Sequence, residues 1–447
     1  MRTLRANGPS VLLRTVLLGT VLGGPGAISS AAAQDIPAAV TANLEGRTAR
    51  LDAIYQDLHA HPELGFAEQR TAALLAKEMR ALGFEVTEKI GKTGLVAIYR
   101  NGPGPTVLVR TDMDALPLRE QTGLPYASTV ETQWNGRPVG VMHACGHDLH
   151  MAAWLGAAGA LLAAKDQWSG TLMFIAQPAE EGGGGAKAML ADGLFTRFGT
   201  PDYAFALHTS PVEAGTVQYR AGVISSNSDT IGITFKGRGG HGSDPSTTID
   251  PVLMAARFVV DVQGVVAREK DPQEAGVVTI GAIEAGSAAN IIPEQALVRG
   301  TIRSFDARTR EKLVEGTARV ARAAAAMSAA PDPEVAITRG YDAVVNDAAL
   351  TERIAAVFKG AFGDKATPQP RPGTASEDYS DFVNAGVPRS VFFTIGVLDP
   401  AKVAAARRGE ATLAVNHSPQ FAPVAEPSIR TGATAMALAV IEVLRRP

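Results

Sequence analysis

The order of strand and helix patterns in the first 220 residues most restricts the folds open to this chain. Short apolar runs at 106–110, 171–176 and 203–207 are bounded by turn residues. One helical pattern, at 67–82, precedes the first run, and another, at 151–164, lies between the first and the second. Strands that alternate with helices are typical of a layered α/β domain with a largely parallel sheet. We therefore predict the α/β class, with a mostly parallel central sheet.

The pattern changes near residue 225. An alternating segment at 229–235 begins a strand-helix-strand-strand-helix-strand order that ends at 335–338. This order suits a smaller α+β, ferredoxin-like domain inserted into the first one. The predicted domains are therefore 34–224 and 340–447, which form the large domain together, and the insert 225–339.

The first 33 residues have the features of an export signal. Arg2, Arg5 and Arg14 precede or enter a short apolar run at 16–22, and small residues lead to Ala33. This composition is typical of a secretory signal, cleaved after about Ala33, and the run is too short to span a bilayer comfortably. We predict a secreted or periplasmic protein without stable membrane insertion after cleavage; a retained tether is the alternative.

Charge and cysteine content restrict the partners further. The formal net charge of −3 gives no electrostatic reason to expect nucleic acid or an anionic membrane as a partner. Cys145 is the single cysteine, so it cannot form an intramolecular disulfide. It is either an inert buried residue or a working thiol.

Acidic residues and a histidine follow three predicted strands at the point where each ends. They are Asp112, Asp114, Glu180, Glu181 and His208. In open α/β sheets the functional crevice lies outside the carboxyl ends of the strands. We expect these side chains to converge there although they are far apart in sequence.

The loop His143-Ala-Cys145-Gly146-His147-Asp148 precedes a predicted helix. A thiolate and an imidazole two residues apart suit a borderline-soft ion such as Zn²⁺, and metal binding would deprotonate the thiol. Gly146 would let the loop turn both side chains to one side. The alternative is a buried cysteine flanked by capping histidines.

The adjacent carboxylates of Glu180 and Glu181 stand before Gly182 in a glycine-rich turn. One could coordinate metal while the other takes a proton from water and passes it to a leaving nitrogen. Two adjacent glutamates usually lie on a solvent-exposed face of the protein. The position of this pair directly after a buried strand favours the chemical interpretation.

Seven motifs occur in order and together resemble one enzyme family. They are Arg110-Thr-Asp112-Met-Asp114, His143-Ala-Cys145-Gly-His147-Asp148, Pro178-Ala-Glu180-Glu181-Gly182, Gly240-His241, Asn290-Ile-Ile-Pro293, Ser376-Glu377-Asp378 and Asn416-His417-Ser-Pro419. The chain resembles the di-metal aminoacylase/carboxypeptidase family, in its branch of hippurate hydrolases and plant auxin-amino-acid conjugate hydrolases. The resemblance covers residues 51–444.

This resemblance implies two divalent metal ions per subunit, Zn²⁺ or Mn²⁺, with Co²⁺ or Ni²⁺ as alternatives. The implied metal ligands are Cys145, His147, Glu181, His208 and His417, and the implied general base is Glu180. The broader family has histidine where this chain has Asp112, and in the branch with the Cys-Gly-His loop that loop supplies ligands instead. We place Asp112, Asp114, Asp148 and His150 around the ligands as orienting groups; His150 has a core histidine as its alternative.

The resemblance also assigns roles in the insert, a dimerisation or lid domain. His241 would reach the active site of a partner subunit in a homodimer and bind the developing oxyanion. Asn290 and Arg303 would bind a substrate carboxylate, although Arg299 lies on the same predicted strand face. Glu377 would line the substrate pocket, or hydrogen-bond structurally near the metal loop.

The implied activity is hydrolysis of an N-acyl-amino acid or a small peptide-like amide, by metal-bound hydroxide with Glu180 as the base. A dipeptidase or carboxypeptidase with the same centre is the nearest alternative. A catalytically silent periplasmic protein that binds metal or peptide is the other, and the intact Glu180 argues against it.

Overall fold

The computed structural model describes residues 31–446. The helices there are, in chain order, α1 (Ala31–Ala60), α2 (Gln69–Ala81), α3 (His147–Ala163), α4 (Gly185–Ala191), α5 (Leu194–Phe198), α6 (Pro251–Arg268), α7 (Ala307–Ala326), α8 (Ala348–Phe362), α9 (Ser380–Asn384), α10 (Pro400–Arg407) and α11 (Ala425–Leu444). The predicted signal, residues 1–33, lies outside the described residues except for its last three, whose backbone begins α1.

The strands are, in chain order, β1 (Glu85–Ile90), β2 (Gly94–Asn101), β3 (Thr106–Asp112), β4 (Glu131–Trp134), β5 (Arg137–Gly140), β6 (Gly170–Gln177), β7 (Tyr203–Glu213), β8 (Val217–Tyr219), β9 (Gly222–Val223), β10 (Asp229–Lys236), β11 (Gly240–His241), β12 (Gly276–Ala285), β13 (Ile291–Ile292), β14 (Gln295–Ser304), β15 (Glu334–Arg339), β16 (Val345–Asn346), β17 (Ala366–Pro368) and β18 (Ser390–Leu398).

The large sheet has the order β1-β2-β6-β3-β7-β18-β8-β17. Its centre is parallel: β3 pairs in parallel with β6 and β7, and β18 pairs in parallel with β7. Antiparallel pairs flank this centre, with β2 against β6 on one side and β8 against β18 on the other. The predicted mostly parallel α/β sheet is confirmed.

The central strands are apolar on both faces because helices cover both. In β3, Val107 and Val109 pack toward the core that α1, α3 and α11 share, while Leu108 points to the opposite core beside α4 and α9. Strands buried on both faces have continuous apolar runs instead of alternation. The polar residues that follow these apolar runs therefore lie at the carboxyl edge of the sheet, where they can form a site.

One described helix, α11, is long and apolar enough to cross a membrane. However, 72% of its apolar stretch is buried inside the protein. It packs against α3 and α1 in the main core, as a central helix of a folded domain does.

The inserted unit runs from β10 to β15. Its sheet has the order β12-β14-β10-β15 with every pair antiparallel, and the connections follow the β-α-β-β-α-β pattern with α6 and α7. Alternate residues of β10, namely Ile231, Ile233 and Phe235, are buried in the small core that includes residues of both helices. This is the predicted ferredoxin-like architecture; the exact boundaries at residues 225 and 339 remain predictions.

Candidate metal centre

The cysteine loop is held in one conformation by local contacts. Gly146 has φ +88°, and a Cβ atom there would lie 2.9 Å from the Thr209 side chain. The Cys145 carbonyl accepts hydrogen bonds from Thr209 Oγ1 at 2.8 Å and from Asn416 Nδ2 at 2.9 Å. The turn at Gly146 leads directly into α3, whose first residue is His147.

Backbone carbonyls orient two imidazoles. His147 Nδ1 donates to the Asp114 carbonyl at 2.7 Å, and His208 Nδ1 donates to the Thr209 carbonyl at 2.8 Å. A hydrogen bond from one ring nitrogen fixes the tautomer and leaves the other nitrogen free to bind a metal. The Nε2 atom of His147 is buried and has no hydrogen-bond partner among residues 31–446.

His417 is brought to the same place by a strained backbone. Its φ is +66°, unusual for a residue other than glycine, and its N–H donates to the Ala144 carbonyl at 2.8 Å. Its Nε2 atom lies 3.3 Å from Cys145 Sγ and 3.0 Å from Glu181 Oε1. Such strain often marks functional positions. This geometry supports His417, which in the sequence is marked by little besides the family pattern.

The donor atoms fit a divalent metal. His208 Nε2 lies 3.4 Å from Cys145 Sγ, close to the two donor separations around His417. Tetrahedral Zn²⁺, with bonds of about 2.0–2.3 Å, holds its donors roughly 3.3–3.7 Å apart. Within the described residues, four overlapping groups have donor atoms within 4.8 Å of one another: Cys145 with Glu181 and His417; His147 with Glu180 and Glu181; Asp112 with His147, His150 and His208; and Glu180 with Glu377 and Asp378.

The pKa values of the groups in this cluster reflect the attraction between its thiolate and carboxylate and its imidazoles. Burial raises the pKa of Cys145, but His208 and His147 outweigh this and lower it to about 6. Burial lowers the pKa of His208, and the nearby thiolate outweighs this and raises it to about 9. Hydrogen bonds to Cys145 and Glu181 raise the pKa of His417 to about 10. The cluster therefore holds anionic donors whose charge a cation can neutralise in place of protons.

His150 is fully engaged by the protein. Its Nδ1 donates to Asp112 Oδ1 at 2.7 Å, and the Thr209 N–H donates to its Nε2 at 2.9 Å. Burial lowers the pKa of His150 to about 4, which keeps the ring neutral. Neither ring nitrogen is free for a metal. His143 is also buried, and neither of its ring nitrogens has a hydrogen-bond partner in the described part of the chain.

Asp114 holds the turn that carries the two glutamates. Its Oδ1 and Oδ2 atoms accept the N–H groups of Glu180 and Glu181, each at 3.0 Å. Asp148, in the first turn of α3, bonds through Oδ2 to His59 Nδ1 at 2.6 Å. Both aspartates contact the segments that carry metal-ligating candidates, and Asp114 Oδ1 also lies 3.4 Å from His147 Nδ1.

Glu180 has the surroundings of a base. It is buried, and its Oε2 atom lies 3.9 Å from His147 Nε2. Burial, together with Glu377 and Glu181, raises its pKa well above the usual carboxyl range. A raised pKa makes a carboxylate better able to accept a proton near neutral pH.

Arg110 belongs to the first of the seven motifs, and no role was predicted for it. Its fully buried guanidinium donates to Asp112 Oδ2 and to Glu377 Oε1, both at 2.7 Å. Glu377 also accepts the Tyr379 N–H at 3.0 Å, so its carboxylate is held by structural hydrogen bonds. The signal was a charged residue inside an apolar strand, which requires a buried partner.

The predicted residues of the insert are not in this cluster within one chain. Among the described residues, the metal-donor groups do not include His241, whose Nδ1 lies 2.8 Å from Ser243 Oγ. His241 pairs with Ile291 across β11 and β13, and the Gly242 N–H donates to the Asn290 carbonyl at 2.8 Å. His241 and Asn290 therefore share one end of the insert.

Comparison with known proteins identifies the family. Residues 108–443 match the model of peptidase family M20/M25/M40. The chain belongs to the M20 peptidase family. This membership confirms the resemblance found in the motifs.

Relatives with known names cover most of the chain. Hippurate hydrolase of Campylobacter jejuni is 42% identical over 335 residues, 74% of this chain and 84% of that protein. Thermostable carboxypeptidase 1 of Saccharolobus solfataricus is 35% identical over 394 residues, 87% of this chain and 94% of its own length. A solved structure, the Bacillus subtilis YXEP protein, described as a dinuclear metal binding peptidase, has a TM-score of 0.73 at 28% identity and covers 90% of this chain and 99% of its own.

Together, the family, these relatives and the donor cluster show what class of enzyme this is. It is a metal-dependent hydrolase of C–N amide bonds that uses divalent metal ions.

Proposed function

We propose that this M20 enzyme hydrolyses N-acyl-amino acids, with Glu180 moving the proton from water to the leaving nitrogen. The observation that carries the proposal is the buried Glu180 carboxylate beside the metal donors, with its backbone N–H held by Asp114. The name of the hippurate hydrolase relative supports an acyl-amino acid as the substrate class.

We assign two divalent ions to the donor cluster, held by Cys145, His147, Glu181, His208 and His417. Bound there, divalent ions would lower the pKa of water and polarise the scissile carbonyl. The thiolate and imidazole donors favour Zn²⁺, while Mn²⁺, Co²⁺ and Ni²⁺ suit the nitrogen and oxygen donors. Asp112 and Asp114 keep the imidazoles and the glutamate turn in place.

The insert supplies recognition of the amino-acid carboxylate in this proposal. Arg299 is already paired with Glu284 at 2.6 Å, whereas Arg303 Nη1 is buried and has no hydrogen-bond partner within the described residues. A guanidinium matches a carboxylate through two parallel hydrogen bonds. Arg303, together with Asn290, is therefore the better candidate to select substrates with a free α-carboxyl group.

A homodimer would bring His241 to the partner's substrate. The edge strand β12 and the neighbouring helix α6 carry exposed apolar side chains, namely Leu253, Val260, Val277 and Ile283. Exposed apolar residues on an unpaired sheet edge favour pairing with a second copy, and a C2 pair is the commonest closed arrangement. Light scattering should give the dimer mass for the wild type and the monomer mass for Val260→Asp.

We also propose export, because the first 33 residues combine a basic start, an apolar run and a small-residue cleavage site. Amino-terminal sequencing of protein expressed from the full gene should give a mature start after about Ala33. Protein that keeps Met1 and stays with the membrane would support the tether instead.

The substrate proposal is tested with the metal-free protein reloaded separately with Zn²⁺, Mn²⁺, Co²⁺ or Ni²⁺. Each form is given N-benzoylglycine, a series of N-acetyl-amino acids, their carboxamides and unblocked dipeptides. We expect hydrolysis of the acyl-amino acids and much weaker hydrolysis when the carboxyl group is blocked. Preference for unblocked dipeptides, or no turnover with any metal, would contradict the proposal.

A further inference from the structure

Tyr341 connects the inserted unit to the proposed base. It lies two residues after β15, where the chain returns to the large domain. Its hydroxyl donates to the Glu180 carbonyl at 3.1 Å. This contact joins the return segment of the insert to the backbone of the glutamate on which the chemistry depends.

The other backbone groups around Glu180 are held from the large domain. Ala179 has φ +48°, and its N–H donates to the buried carboxylate of Glu68 at 2.8 Å. Asp114 accepts the next two N–H groups along the chain. The three N–H groups are thus bonded to carboxylates of the large domain. The Glu180 carbonyl accepts the Gly182 N–H at 2.6 Å from within the turn, and the Tyr341 hydroxyl is its contact from the return segment of the insert.

Tyr341 is itself fixed to the start of the insert. The Ser228 N–H donates to the Tyr341 carbonyl at 3.0 Å, and the Tyr341 N–H donates to Ser228 Oγ at 3.3 Å. Beside it, Arg310 of α7 donates to Asp229 at 2.9 Å and pairs with Asp342. The two connecting segments therefore form one bonded unit, and Tyr341 follows the position of the insert.

The hydroxyl is a suitable donor. Burial, together with Asp378 and Glu180, raises the pKa of Tyr341 far above its usual value. The group keeps its proton across the working pH range, so the hydrogen bond persists.

We infer that Tyr341 is a positioning residue that holds Glu180 in its reactive place and ties this placement to the position of the insert. The inference rests on the proposed role of Glu180 as the base. A misplaced base lowers the rate of the chemical step more than substrate binding, because proton transfer requires hydrogen-bond geometry.

The test compares Tyr341→Phe with Tyr203→Phe, each in the full chain. Tyr203 accepts a hydrogen bond from exposed Arg389 at the start of β7, so its variant removes a hydroxyl away from the base. We expect Tyr341→Phe to lower kcat about three- to tenfold while KM stays within about twofold. The unfolding temperature should change equally little in both variants.

A second readout does not depend on turnover. Hydrogen exchange is measured on the peptide that spans residues 178–185, in the metal-free form of both variants and of the wild type. We expect exchange about threefold faster or more in Tyr341→Phe only, because one of the contacts of this turn is lost. Exchange equal to that of Tyr203→Phe, or an unchanged kcat, would overturn the inference.

The two proposals fail separately. If the wild type hydrolyses no member of the panel, amide hydrolysis of acyl-amino acids is wrong. The hydrogen-exchange comparison still tests Tyr341, because it does not depend on turnover. Faster exchange of residues 178–185 in Tyr341→Phe supports the positioning role, and unchanged exchange refutes it.

Discussion

The Nδ1 atom of His150 lies 2.7 Å from the Oδ1 atom of Asp112, inside the protein and beside the metal donors. Because the other ring nitrogen accepts the Thr209 N–H, this histidine links β3 and β7 through α3. It acts on the metal centre through Asp112, whose second oxygen lies 3.7 Å from His147 Nε2. In the proposed centre, His150 would therefore hold the ligand candidates in place through Asp112.

We expect His150→Leu to lower the free energy of unfolding by about 2–4 kcal/mol, because Asp112 Oδ1 and the Thr209 N–H lose their partner in a buried place. Urea unfolding of the metal-free protein measures this effect. The exposed His61 provides the matched control, and His61→Leu should change the free energy by less than about 0.5 kcal/mol. Equal stability of the two variants would contradict the prediction.

Substitutions of the adjacent glutamates should affect catalysis and metal binding differently. Glu180→Gln should lower kcat about 10²- to 10⁴-fold and leave the metal content near that of the wild type, because the base is lost and the proposed ligands remain. Glu181→Gln should lose metal on dialysis, since its carboxylate lies among the donors of Cys145 and His417. Elemental analysis and steady-state kinetics on both variants check this. Retained turnover in Glu180→Gln would show that Glu180 is not the base.

The residue types of the site could be predicted because only a few kinds of side chain coordinate metal ions. Cys145, His147 and Glu181 follow turns or strand ends in the sequence, and the sheet brings them together as parallel strands do. By contrast, the contacts of Arg110 with Glu377 and of Glu68 with Ala179 join segments more than a hundred residues apart. A sequence shows that a buried charge needs a partner, but not which one.

The same limit applies to the fold. Buried strands such as β3 and β6 were predicted because their apolar runs are bounded by turn residues, and α2 was predicted because its apolar residues recur at helical spacing. The largely buried strand β2 was missed. The three-residue strands β8 and β17 exist only through their pairing with each other and with β18, so they carry no periodic signal of their own. The edge strand β1 was also missed, since four of its six residues are charged or polar and most of it is exposed or half-buried.

Metal binding should release protons. At pH 7 the metal-free cluster contains protonated His208 and His417, with pKa values of about 9 and about 10, and a largely ionised Cys145, with a pKa of about 6. A metal must displace the imidazolium protons, so its apparent affinity should rise as the pH increases from 6 to 9 and fall as the pH decreases. Zn²⁺ titration at pH 7 with a pH indicator should detect more than two protons per cluster, because Asp112 and Cys145 outweigh burial and also raise the pKa of His147, a third proposed ligand, well above its usual value. An affinity independent of pH would contradict this assignment.

A buried histidine away from the metal donors should make stability depend on pH. His59 Nδ1 lies 2.6 Å from Asp148, and its Nε2 lies 3.1 Å from Glu120. Burial lowers the pKa of His59, but the two carboxylates outweigh this and raise it to about 10. Because the folded pKa lies above the unfolded value of about 6.5, the ion pairs stabilise the fold fully below pH 6.5, and this contribution is lost as the pH rises toward 10.

We therefore expect the wild type to be more stable than His59→Gln at pH 6.5, with the difference decreasing by roughly 2 kcal/mol or more toward pH 10. Urea unfolding of the metal-loaded proteins measures both free energies, and titrations common to the two proteins cancel in the difference. Below about pH 4 the gap should also decrease, because the same contacts lower the pKa values of Asp148 and Glu120 and these carboxylates become protonated. Parallel stability curves between pH 6.5 and 10 would show that His59 is neutral in the folded protein.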